Sequence, residues 1–75
     1  MRVRANGLYR FTPAGLDRWM RHSTAIPGEI VRVVNLPGAP KANTMNQCHV
    51  ADPLTGELLG MVDTRSLTLA PYRRR

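Results

Sequence analysis

The run Ile30-Val31-Arg32-Val33-Val34 leaves this chain the least choice. Four of its five side chains are β-branched. Such side chains lose rotamer freedom in a helix and fit a pleated, half-buried surface. Pro27-Gly28 stands before the run and Pro37-Gly38-Ala39-Pro40 after it. Proline removes a backbone donor and fixes φ, so neither flank extends a regular element. The segment IVRVVNL is therefore read as a strand, and a chain punctuated this way folds as short strands joined by turns.

The rest of the chain repeats that rhythm. LYRFT, residues 8–12, alternates Leu8, Arg10 and Thr12 against Tyr9 and Phe11, after an Asn6-Gly7 turn signal. MNQCHVA, residues 45–51, and ELLGMV, residues 57–62, flank Asp52-Pro53-Leu54-Thr55-Gly56, whose proline and glycine occupy the positions a tight turn favours. Asp63-Thr64-Arg65-Ser66 reads as a short turn of 3₁₀ type, and LTLA, residues 67–70, as a last strand stopped by Pro71. The long first loop contains TPAGLDRWMRHS, in which Thr12 is placed to cap a short helical turn with Pro13 at its first position. Leu16, Trp19 and Met20 then share one face at i, i+3 and i+4.

Five short strands, one long first loop, an open middle loop, a tight hairpin and a 3₁₀ turn before the final strand resemble the five-stranded small barrels of the SH3-like class, loosely the KOW-type modules. The resemblance rests on PGEIVRVVNLPG, CHVADPLTGELLGMV and DTRSLTL, and covers residues 7–70. The chain departs from KOW-type modules at Asn35-Leu36-Pro37-Gly38 and in the proline-rich loop that follows. The resemblance implies a closed mostly-β barrel in one domain spanning residues 1–75, with basic arms at 1–6 and 71–75. The expected core draws on Leu8, Val31, Val33, Cys48, Val50, Leu59, Met61, Leu67 and Leu69, with Phe11 and Trp19 packed over one end.

Charge is unevenly placed. The chain carries a net +6 at pH 7, from eleven basic and five acidic residues. Arg2, Arg4, Arg73, Arg74 and Arg75 hold five of the basic charges; residues 5–72 hold six against the five acids. The excess lies at the two ends, so the high isoelectric point describes the arms more than the body. Ten of the eleven basic residues are arginine, which suits phosphate or carboxylate recognition and equally fits an arginine-favouring codon bias.

Catalysis is not expected. Cys48 and His49 are neighbours on a strand and point to opposite faces, so they make no nucleophile–base pair. Cys48 reads as a small buried hydrophobe and His49 as a solvated side chain. One cysteine and two histidines have no paired zinc spacing, and the six glycines form no phosphate loop. No cofactor or metal is expected. A lone cysteine, no apolar leader and no long apolar stretch point to a cytoplasmic protein without a membrane partner.

Two binding roles remain. The first is an adaptor or inhibitor that docks on a larger protein or nucleoprotein assembly through Leu16, Arg18, Trp19 and Arg21. By size and fold it resembles the small phage or accessory proteins that modify a host machine. The plain alternative for Trp19 is a plug at the barrel end. The second is an RNA- or DNA-binding barrel using Arg2, Arg4, Arg10, Tyr72, Arg73, Arg74 and Arg75 against phosphates and a stacked base. The plain alternative there is a pair of solubilising tails. The near-neutral body and the missing aromatic strand face favour the adaptor.

Overall fold

The computed structural model describes residues 3–20, 22–36 and 46–70. Among these residues, six strands form one antiparallel sheet: β1 (Leu8–Phe11), β2 (His22–Ser23), β3 (Ile30–Val34), β4 (Gln47–Ala51), β5 (Leu58–Asp63) and β6 (Leu67–Leu69). Two 3₁₀ turns, Gly15–Arg18 and Thr64–Ser66, complete the regular structure of the described residues. The spatial order is β2-β5-β4-β3-β1-β6.

The expected five strands are present, and a sixth joins them. His22 and Ser23, inside the long first loop, pair with Met61 and Gly60. The sheet is open rather than the closed barrel expected, with β2 at one edge and β6 at the other. Closure would need β6 to pair with β2, and no such pairing is present among the described residues. Gly60 makes the approach of β2 to β5 possible. A Cβ at this position would overlap the carbonyl oxygen of His22 and lie 2.7 Å from Ser23 Cα, and its φ of +124° is open only to glycine.

The turns are local chemistry. Gly7 N–H closes on Arg4 O at 3.0 Å with Asn6 in a left-handed conformation. At the hairpin, Asp52 Oδ1 accepts from the backbone N–H groups of Leu54 and Thr55 at 2.8 and 3.1 Å, and Gly56 N–H returns to Asp52 O at 2.8 Å. A bulge between Val50 and Ala51 then shifts the β4–β5 register.

The core lies on one face of this curled sheet: Tyr9 and Phe11 from β1, Val31 and Val33 from β3, Cys48 and Val50 from β4, Val62 from β5, Leu67 from β6, with Val3 and Ala25 from the connections. Val31, Val33, Cys48, Val50 and Leu67 stand where expected, and Leu59 packs against them from a partly buried position. Five expectations are corrected. Leu8 is exposed because β1 turns its aromatic residues inward; Tyr9 Oη accepts from Arg4 N–H at 2.8 Å, which satisfies its buried end. Met61 shares the register row of His49 and stands on the opposite face from Val62. Leu69 is exposed on the edge strand, and Phe11 sits at the centre of the core rather than over an end. Trp19 is 87% exposed and plugs nothing.

Candidate functional site

The first loop is fastened at its base by buried polar groups. Asp17, Asp63, Thr64 and Ser66 are all buried. Asp17 Oδ2 accepts from the Asp63 backbone N–H at 2.9 Å and from the Ser66 hydroxyl. Ser66 Oγ in turn accepts from Ala14 N–H at 2.9 Å. Asp63 caps the second 3₁₀ turn: Oδ1 takes the Arg65 backbone N–H at 2.8 Å and Nε at 3.0 Å. Its Oδ2 takes Arg65 Nη2 at 2.6 Å and the Leu16 N–H at 3.3 Å. No buried side-chain nitrogen or oxygen among the described residues lacks a partner.

The electrostatics follow from that geometry. The Arg65 side chain, hydrogen-bonded to Asp63, holds the Asp63 carboxyl below the usual carboxylate range against the opposing effect of burial, and the backbone N–H groups of Arg65 and Leu16 assist. Burial pushes the Cys48 thiol up to about 11, with the negative charges of Asp17 and Asp63 adding to the shift. Gly15 belongs to the same arrangement. Its φ is +56°, and a Cβ there would overlap Asp63 Oδ2 and crowd the Arg65 guanidinium.

On this base the loop presents an apolar face. Leu16, Trp19 and Met20 are 52, 87 and 62% exposed. The 3₁₀ turn Gly15–Arg18 keeps the three residues together, closed by Trp19 N–H and Met20 N–H on Leu16 O at 3.0 and 2.9 Å. The turn has no side-chain cap: Thr12, read as its cap, instead donates its backbone N–H to Ser66 O at 2.6 Å. Arg18 is exposed beside Trp19. Arg65 is also exposed and is held by Asp63. Arg21 lies outside the described residues.

Of the residues of the second binding role, the structure describes Arg4 and Arg10. Arg2, Tyr72, Arg73, Arg74 and Arg75 lie outside the described residues. Arg4 is exposed next to the Asn6 turn, and Arg10 on β1 donates from Nη1 to Gly28 O at 2.6 Å. The two lie at opposite ends of β1, since Arg10 pairs with Ile30 while Asn6 N–H reaches Val33 O at 2.7 Å.

Cys48 is buried and His49 half-buried on the other face of β4. Among the described residues no group of three His, Cys, Asp or Glu side chains is placed to hold a metal ion. No helix among them is long and apolar enough to cross a membrane. Sequence reasoning passed over the Asp17–Asp63–Ser66 cluster. Its visible trace was Asp63-Thr64-Arg65-Ser66, read only as a turn; the partner residue lies 46 positions away. No family model, curated protein or solved structure matches the chain.

Proposed function

We propose that this protein is a non-enzymatic binding module, an adaptor or inhibitor that docks on a larger protein assembly through Leu16, Arg18, Trp19 and Arg21. One observation carries the reading: an indole 87% exposed on a loop whose base is tied down by buried carboxylates. A single exposed apolar side chain is ordinary, but Leu16, Trp19 and Met20 are exposed together on one turn, and tryptophan and arginine are the residues most often found at the energetic centre of interfaces. A pinned base also lowers the ordering cost of binding.

Charge narrows the partner. Asp17 and Asp63 are buried and spent on internal hydrogen bonds, while Arg18 and Arg65 face solvent. The complementary surface is an apolar pocket with acidic rims. The order of the five expected strands and the 3₁₀ turn before the last of them supports the likeness to SH3-like modules, which also bind through their long first loop. The likeness concerns strand order, since this sheet is open.

The test is a tagged pull-down from a host lysate, with and without nuclease at moderate salt. A captured protein that survives nuclease and disappears with Trp19→Ala supports the adaptor. The variant keeps its stability within about 0.5 kcal/mol, as for an ordinary surface change. Capture that is nuclease-sensitive, unaffected by Trp19→Ala and lost on deletion of residues 73–75 overturns the adaptor in favour of nucleic acid.

A further inference from the structure

Two histidines and a methionine far apart in sequence stand in one row. Met61 on β5 is the register partner of both His49 on β4 and His22 on β2. Antiparallel register partners project from the same face of a sheet and sit as immediate neighbours. His22, Met61 and His49 are therefore consecutive across three strands, with the methionine in the middle. Val34 extends the row beyond His49 and gives it an apolar border.

The row is held in place on the edge strand as well as in the sheet interior. Gly60 lets β2 approach β5 more closely than any other residue would. Thr24 N–H donates to Leu59 O at 2.8 Å, continuing the pairing past Ser23. The position of His22 is thus fixed by backbone contacts that do not involve its imidazole. All three side chains reach solvent, His22 exposed and the other two half-buried.

We infer that His22, Met61 and His49 form a surface site for a soft monovalent metal ion, Cu(I) or its surrogate Ag(I). The donor set argues the identity. Two imidazoles and one thioether are neutral and comparatively soft, and a thioether selects Cu(I) over the harder divalent ions. Zinc favours a closed set of four nitrogen, thiolate or carboxylate ligands. The described residues supply no third histidine, cysteine or carboxylate that could complete such a set. Three ligands suffice for a monovalent soft ion. The outer histidines are two strand spacings apart, roughly 10 Å, so binding one ion requires both imidazoles to lean toward each other over Met61. Cys48 takes no part, since it is buried on the opposite face.

The experiment is an anaerobic Cu(I) titration of the full chain in competition with a chromogenic chelator. An Ag(I) titration followed by NMR of the methionine methyl and histidine ring signals accompanies it. The expected result is saturation at one ion per chain. The Met61 methyl and the rings of His22 and His49 shift together, and Zn(II) binds far more weakly. Met61→Leu, which conserves volume and so the fold, weakens Cu(I) binding by more than about tenfold, a loss that even changes outside the ligand set can cause. His22→Ala, on an exposed edge, has the same effect, whereas Cys48→Ala binds as the parent does. Cu(I) binding unchanged by Met61→Leu and His22→Ala, binding lost in Cys48→Ala, or no competition with the chelator would each overturn the site.

Discussion

Asp17 is the residue on which the first loop depends. Its Oδ2 accepts from the Asp63 N–H and the Ser66 hydroxyl, and both donors are buried with it. The Asp63 N–H stripped of its acceptor keeps its desolvation cost and loses its compensation, at about 1–3 kcal/mol, while the Ser66 hydroxyl still has Ala14 O within reach at 3.1 Å. Asp17→Ala is therefore expected to destabilise the protein by about 1–3 kcal/mol, measured by urea unfolding. It should also weaken partner capture although it leaves Trp19 in place, because the loop base is released. A variant as stable as the parent would show that water replaces the carboxylate at no cost, and the cluster would lose its role. Leu16, on the same turn, ties the exposed face directly to Asp63 through its N–H. The Asp63–Arg65 ion pair contributes less than its short distance implies, since its arginine is largely in solvent and screened.

At the scale of elements, β2 is the part of the fold that departs from the expected barrel. Gly60→Ala places a methyl group against the His22 carbonyl and imposes an unfavourable φ. The expected outcome is detachment of β2, seen as rapid hydrogen exchange at Thr24, whose N–H is bonded to Leu59 O, with the β1–β3 amides still protected. Uniform loss of protection would show instead that β2 is integral to the whole sheet. The strands that were legible in sequence were those written in local chemistry: β-branched residues in β3, the Asp52–Gly56 turn between β4 and β5, and proline at the flanks. What stayed hidden was set by tertiary partners. Alternation in LYRFT identifies two faces and not which one is inside; that choice fell to Tyr9, whose hydroxyl finds a donor in Arg4, and to Phe11 at the core centre. Two residues of β2 carry no strand signal, and their pairing exists because Gly60 admits it. Trp19 was legible as an apolar residue on a helical stripe, while its exposure depended on the aromatic core being filled by β1.

For the whole molecule, charge and fold meet in the response to acid. The chain carries +6 at pH 7, and its five carboxylates are the only side chains that offset its eleven cations. Asp63 and Asp52 both have pKa values depressed in the folded protein: Asp63 first by the Arg65 side chain, Asp52 first by the backbone N–H groups of Thr55 and Leu54. A carboxylate with a lowered native pKa binds its proton more tightly when unfolded. Its contribution is complete above the unfolded value of about 3.9 and is lost as the pH falls through the lower native value. Protonation of the other carboxylates removes the remaining negative charge, so repulsion among the arginines acts in the same direction. Thermal midpoints should therefore vary little between about pH 8 and 5 with respect to these carboxylates and fall steeply below about pH 4. Asp63→Asn should lower the midpoint at neutral pH and flatten the acid limb, so that the parent and variant curves converge in strong acid. Added salt should ease the acid loss by screening the cations without restoring the Asp63 contribution. Parallel parent and variant curves down to the lowest pH would mean that Asp63 carries no proton-linked stability, and that acid sensitivity comes from net charge alone.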